Sequence, residues 1–180
     1  MAATKHARAI QQDSQTYLTE ALFQLLAKKS LSEIKITELV ARAGVSRMAF
    51  YRNYDRVEDI LRQHFAPQLK HLFNNVIFEQ TVTVKLGDMQ AFFDDFATEL
   101  RLSLKAHFEY LIRDLFTENM ARYYADWPAM FPEHLKYWTV FMANGVYGIW
   151  REWLLTGQQE SLTELHTLIK KLQISTESAL

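Results

Sequence analysis

The chain is expected to be all-α: an N-terminal three-helix domain over residues 1–65, then a helical bundle over residues 66–180, about nine helices together. Three observations lead there. Apolar residues recur at three- and four-residue steps through most of the 180 residues, the period of a one-sided helix. Five glycines and three prolines are too few for the turns of an all-β protein. The β-branched run Thr81-Val82-Thr83-Val84 has no second strand candidate to pair with.

Taken in order, Tyr17, Leu18, Ala21, Leu22, Leu25 and Leu26 form one face of a helix over Asp13–Lys29. Leu31 to Lys35 is a connector, with Ile34 and Ile36 as core plugs beside it. A second helix is expected near Thr37, whose hydroxyl can cap it, and Gly44 stops it. Ser46 caps a very short third helix through Arg47, Ala49, Phe50 and Tyr51. A longer helix carries Val57, Ile60, Leu61, His64 and Phe65, and continues past Pro67 to Phe73. Residues 76–87 read as a loop or fraying end, after which Asp88 is expected to cap a helix through Phe92, Phe96, Leu100 and Leu104. Two amphipathic segments follow, Phe108–Phe116 and Met120–Trp127, before Pro128 and Pro132 punctuate the chain. The stretch Glu133–Thr156 is apolar on most sides and implies burial on more than one face. Gly157 ends it, and Ser161 with Glu164 forms a capping box for a last helix through Leu165, Leu168, Ile169 and Leu172.

Composition excludes several chemistries. With no cysteine there is no disulfide, no thiolate zinc site and no thiol nucleophile. No apolar run reaches the roughly 18 residues of a membrane span. The polar N-terminus, with His6 and Arg8, is not a secretory signal, so a reducing cytoplasmic setting is expected. No Gly-rich phosphate loop, no G-x-S-x-G elbow and no H-E-x-x-H occurs, and Asp94-Asp95 reads as a solvated helix face, so no enzyme is expected. No cofactor is expected. His64 and His71, seven apart on one helix, read as packed rather than metal-binding.

The informative segment is Ile36 to Leu61, ITELVARAGVSRMAFYRNYDRVEDIL. It reads as helix, Gly-centred tight turn and short capped helix, the spacing of a helix-turn-helix. Ala43 and Gly44 let two backbones approach, Val45 plugs the corner, and no acidic side chain opens the helix after Ser46. Its start, beside Arg47, suits a negatively charged partner. Arg42, Arg47, Arg52 and Arg56 fall within fifteen residues, interleaved with Tyr51 and Tyr54.

The run AGVSRMAFYRNY followed by Glu58-Asp59-Ile60-Leu61, behind the Asp13–Lys29 helix, resembles the DNA-binding domain of the TetR family of bacterial transcriptional regulators. The resemblance covers roughly residues 8–65, about a third of the chain. It implies that the helix after Ser46 enters the major groove, with Arg47 and Met48 facing base edges or nearby phosphate. It also implies phosphate contacts for Tyr51 and Thr37, and Ser46, Arg52 and Arg56 stand in the same expected DNA-binding set. The lysine common at the start of the family's fourth helix is Val57 here, which makes Arg56 its substitute. Val40 replaces a usual small residue.

For the second domain the resemblance implies effector binding and pairing of the last two long helices with those of a second subunit. The dimer-interface candidates are then Gly145, Gly148, Trp150, Trp153, Leu165, Leu168 and Leu172. Eighteen of the 24 aromatic residues follow Phe65. Most of them read as core. Candidates to line an effector pocket are His107, Tyr110, Arg113, Tyr123, Trp127, Trp138 and Asn144. The expected function is therefore a homodimeric, sequence-specific DNA-binding regulator whose partners are a double-stranded operator and a small-molecule or protein effector. A helical adaptor of the same fold, working through protein contacts alone, is the alternative.

The net charge of −1 at first argues against a nucleic-acid partner. It hides a segregation. Residues 1–65 hold ten Lys or Arg against seven Asp or Glu, and residues 66–180 hold ten against fourteen. The basic excess lies in the part carrying the motif.

Overall fold

The computed structural model describes residues 5–77, 82–125 and 135–178. Among them lie eight α-helices and no strand: α1 (Lys5–Leu26), α2 (Ile36–Ala43), α3 (Arg47–Asn53), α4 (Val57–His71), α5 (Val82–Lys105), α6 (Glu109–Ala125), α7 (Leu135–Leu155) and α8 (Leu162–Ser178). A 3-10 turn (Leu31–Glu33) follows α1, and a π-helical stretch (Leu72–Ile77) extends α4. None of these helices is long and apolar enough to cross a membrane.

The chain divides into two compact units. The first comprises the described residues up to Ala66 together with Leu102–Ile112; the second takes those from Pro67 to Arg101 and from Arg113 onward. Residues 102–112 join the first unit through backbone and side-chain bonds. The Leu31 N–H donates to the Ala106 carbonyl at 2.9 Å, and Lys105 Nζ donates to the Ala27 carbonyl at 3.3 Å. Phe108 is fully buried there, 6.1 Å from Phe65 between ring centroids.

In the first unit α1, α2 and α3 pack against one another. Leu18, Leu22, Leu25 and Leu26 of α1 are buried, as are Leu39 and Val40 of α2, Phe50 of α3 and Ile60 and Leu61 of α4. Lys29 Nζ meets both carboxylate oxygens of Glu38 at 2.6 Å, tying the turn after α1 to α2. α2 begins one residue before the expected cap. Lys35 holds the N-cap position without a side-chain bond, and Thr37 lies exposed inside the first turn. Starting at Ile36 turns Leu39 and Val40 inward together, so packing rather than a hydroxyl sets this boundary.

Gly44 ends α2 with φ +66°, in the left-handed region that a side chain disfavours. A Cβ built there meets no atom within 4 Å, so a substitution is penalised by backbone conformation alone. Gly44→Ala is expected to lower stability by about 1–2 kcal/mol, read from urea titration. An unchanged midpoint would show that the turn has another accessible geometry.

The second unit has an aromatic interior. Phe93 of α5 meets Trp150 and Trp153 of α7 edge-on at 5.0 and 5.5 Å, and Phe116 of α6 meets Trp150 at 5.1 Å and Phe73 at 5.2 Å. Such edge-to-face pairs add to burial because a ring's positive edge meets a negative face. Arg101 Nη2 donates to the Leu154 carbonyl at 3.1 Å, and Trp153 Nε1 donates to the Glu160 carbonyl at 2.8 Å across the α7–α8 turn. Gly157 and Gln158 form that turn in left-handed conformations. The expected capping box is complete: the Ser161 N–H donates to Glu164 Oε2 at 2.8 Å, and the Glu164 N–H donates to Ser161 Oγ at 3.2 Å. The Ser161 hydroxyl, and then its N–H, hold the exposed Glu164 carboxyl below its usual range.

Several boundaries differ from expectation. α1 starts at Lys5 rather than Asp13, and Gln11 and Gln15 on the added and following turns are engaged by α3. α5 starts at Val82, so Val82–Val84 are helical and Asp88 lies inside the helix rather than capping it. With no strand among the described residues to pair with, β-branched residues give up only about 0.5 kcal/mol each in a helix, and the long run behind them propagates it. The two segments expected around Phe108–Trp127 are one helix, α6, up to Ala125; Trp127, Pro128 and Pro132 lie outside the described residues.

Candidate nucleic-acid interface

α3 has one buried residue and one exposed face. Ser46 is its N-cap, with φ −78° and ψ 156°, and its Oγ accepts from the Ala49 N–H at 3.0 Å. Phe50 is fully buried, and Tyr54, in the C-cap position, is 5 % exposed. Burial pushes the Tyr54 phenol up, an effect reduced by its hydrogen bond with the Thr19 side chain. Both aromatic residues therefore belong to the core.

The predicted DNA-contacting residues lie outside. Thr37, Ser46, Arg47, Met48, Tyr51, Arg52 and Arg56 are all exposed. Met48, Tyr51 and Arg52 stand at helical spacings of three and four, so they share one face of α3, with Arg47 beside them at its start. Met48 is 75 % exposed and Tyr51 51 %. Tyr51 nonetheless stacks its ring edge-on against Phe50 at 5.3 Å, which holds the phenol in place while its hydroxyl end reaches solvent. There is no acidic residue in α3.

Arg56 and Val57 separate as the sequence suggests. Val57 is buried, whereas Arg56 is exposed and lies 3.8 Å from Asp59. The Asp59 carboxylate also accepts from the Arg56 and Asp55 N–H groups at 2.7 and 3.1 Å, closing the start of α4. Arg42 donates through Nε to Gln24 Oε1 at 2.8 Å, which ties it to α1. His64 packs edge-on against Phe23 at 4.9 Å.

One positioning residue escaped the sequence reading. Asn53 Nδ2 donates to the Ala49 carbonyl at 2.7 Å, while its Oδ1 accepts from Gln11 Nε2 at 2.9 Å and Gln15 Nε2 at 3.3 Å. Two amides of α1 thus grip the end of α3. The only signal was a run of glutamines on the polar back of α1, which reads equally well as a solvated face.

The second-unit candidates divide. Trp150, Trp153 and Leu165 are buried within the protomer, so intramolecular packing covers them and they are core residues rather than surface ones. Gly145, Gly148, Leu168 and Leu172 are exposed. The exposed face of α7 also carries Tyr137, Val140 and Phe141, which the sequence reading did not place there. Of the effector candidates, His107 and Tyr110 belong to the first unit, and Arg113, Tyr123, Trp138 and Asn144 to the second. His107 is an exposed residue with φ +59° in the turn between α5 and α6. Tyr110, Arg113 and Asn144 are exposed, Tyr123 is half-buried and Trp138 is buried; Asn144 Nδ2 donates back to the Val140 carbonyl at 2.8 Å. Trp127 lies outside the described residues.

A helix-turn-helix unit with an exposed cationic and aromatic face, joined to an all-helical second unit, is the class of protein these features define. The chain shares the fold of a TetR transcriptional regulator from Streptococcus agalactiae 2603V, with a TM-score of 0.64 and 19% sequence identity, over 92% of this chain and 96% of that one. At that identity the likeness is one of fold. No family model matches the chain, and no curated protein matches it.

Proposed function

We propose that the chain is a sequence-specific, DNA-binding transcriptional regulator that acts as a homodimer, its affinity controlled through the second unit. The observation that carries this reading is the exposed face of α3. Arg47, Met48, Tyr51 and Arg52 leave solvent-facing side chains on a helix whose other side is anchored by Phe50. A major groove admits one α-helix, and arginine donors with an apolar side chain match its base edges. In this reading Arg47 and Met48 face bases, while Thr37, Tyr51, Arg52 and Arg56 face backbone phosphates. The acidic balance of residues 66–180 is repelled by DNA and favours docking by the first unit.

Two copies present their α3 helices about one DNA turn apart, roughly 34–36 Å, on a near-palindromic site. α4 carries residues of both units, and an effector or partner on the second unit shifts the population of binding-competent dimers through it. The test is selection from a random duplex pool followed by fluorescence anisotropy on the enriched duplex at several salt concentrations. Arg47→Ala is expected to weaken binding about ten- to hundredfold, the worth of one bidentate base contact. Tyr51→Phe is expected to weaken it about three- to tenfold, equally on all sequences. Unchanged affinity for both variants at every salt concentration would sink the reading.

A further inference from the structure

Within the DNA-binding reading, on which this inference rests, we infer that Met48 is a specificity-determining residue that reads the C5-methyl group of thymine. Met48 is the most exposed of the large apolar side chains in the described residues. At that exposure, packing among the described residues makes little use of its apolar side chain. Phe50 and Tyr54 supply the burial that holds α3, and Met48 shares neither their side of the helix nor their environment. The arginines around it favour an anionic partner over a purely apolar protein surface: Arg47 precedes it, Arg52 follows one turn on, and α3 carries no acid to neutralise them. An apolar side chain framed by cations needs an anionic surface with an apolar feature set into it.

The major groove offers one such feature. Thymine alone of the four bases presents a methyl group at its floor. A thioether side chain has no donor, so it cannot take the place of an arginine at guanine or an asparagine at adenine. It is also unbranched and polarizable, and it adapts to a methyl surface. Arg47 and Met48 both stand in the exposed first turn of α3, and in this reading they meet nearby base pairs. The assignment is a thymine beside the position that Arg47 reads.

The experiment uses the full chain and the duplex enriched from a random pool, resynthesised with single dT→dU replacements that delete one methyl group and leave base pairing intact. At least one replacement per half-site is expected to weaken binding about fourfold, the worth of one buried methyl-sized group. In Met48→Ala that same replacement is expected to be silent, while Met48→Leu keeps the sensitivity. The side chain is exposed, so neither variant disturbs the core. An enriched duplex whose dU variants all bind alike, or whose sensitive position stays sensitive in Met48→Ala, overturns this assignment and leaves the DNA-binding reading standing. A pool from which no duplex is enriched overturns both.

Discussion

Phe50→Ala is expected to cost about 3–5 kcal/mol and to separate the melting of the first unit from that of the second. The ring is fully buried, with Tyr51 edge-on at 5.3 Å and Tyr54 tilted at 5.9 Å. α3 has seven residues, well short of the roughly 12–15 at which an isolated helix becomes even marginal in water. Its helicity is therefore borrowed from tertiary contacts, of which Phe50 is the largest. A loss of that size consumes a large part of the about 5–15 kcal/mol that holds a domain together. No tryptophan precedes Trp127, so tryptophan emission follows the later chain, whereas far-UV circular dichroism follows all the helices. In urea the variant is expected to lose helical signal well before its tryptophan emission changes. Tyr51→Ala, one residue on and half exposed, is expected to leave both transitions near their native positions while weakening DNA binding. If Phe50→Ala shifts the early transition by less than about 1 kcal/mol, α3 is held by something other than its core ring.

The contrast between these neighbours explains why the first unit was legible from sequence. A Gly in a left-handed turn, a Ser cap and an inward Phe are consequences of local chemistry, and Gly44, Ser46 and Phe50 all do what their residue types dictate. Features set by distant partners were not legible. Gln11 and Gln15 of α1 are tied to Asn53, more than 35 residues away. α5 absorbs Val82–Val84 because no strand among the described residues competes for them. α7 shows the limit most plainly. It is apolar on most sides, so periodicity cannot say which side its own subunit covers; the aromatic contacts with Phe93 and Phe116 decide that Trp150 is inside. The side left over is the consequential one.

Phe141→Glu is expected to convert the proposed homodimer to a monomer without changing the secondary structure or thermal stability of the protomer. Phe141 is 61 % exposed and Tyr137 71 %, both on the α7 face that carries Val140, Gly145 and Gly148. Leu168 and Leu172 of α8 are exposed as well. A Cβ built on Gly145 or Gly148 meets nothing within 4 Å, so the protomer's own packing does not require either glycine. Each nevertheless gives up about 1 kcal/mol of helix propensity relative to alanine. A second copy whose helix approaches closely accounts for both the missing side chains and the uncovered rings. A two-fold interface uses each residue twice, so losing a burial worth about 1.5–3 kcal/mol in each copy removes about 3–6 kcal/mol from association. That raises the dimer dissociation constant more than about a hundredfold. Sedimentation at micromolar concentration reads it directly. Gly145→Leu is expected to act in the same direction, since a Cβ there meets nothing in its own protomer and the larger side chain stands in the way of a closely approaching helix of the proposed second copy. Trp153→Glu, by contrast, is expected to unfold the second unit, because it places a charge among rings that its own subunit buries. A native chain that sediments as a monomer would overturn the homodimer reading, whereas a Phe141→Glu variant that remains a dimer would place the pairing surface elsewhere and with it the geometry that sets two α3 helices one DNA turn apart.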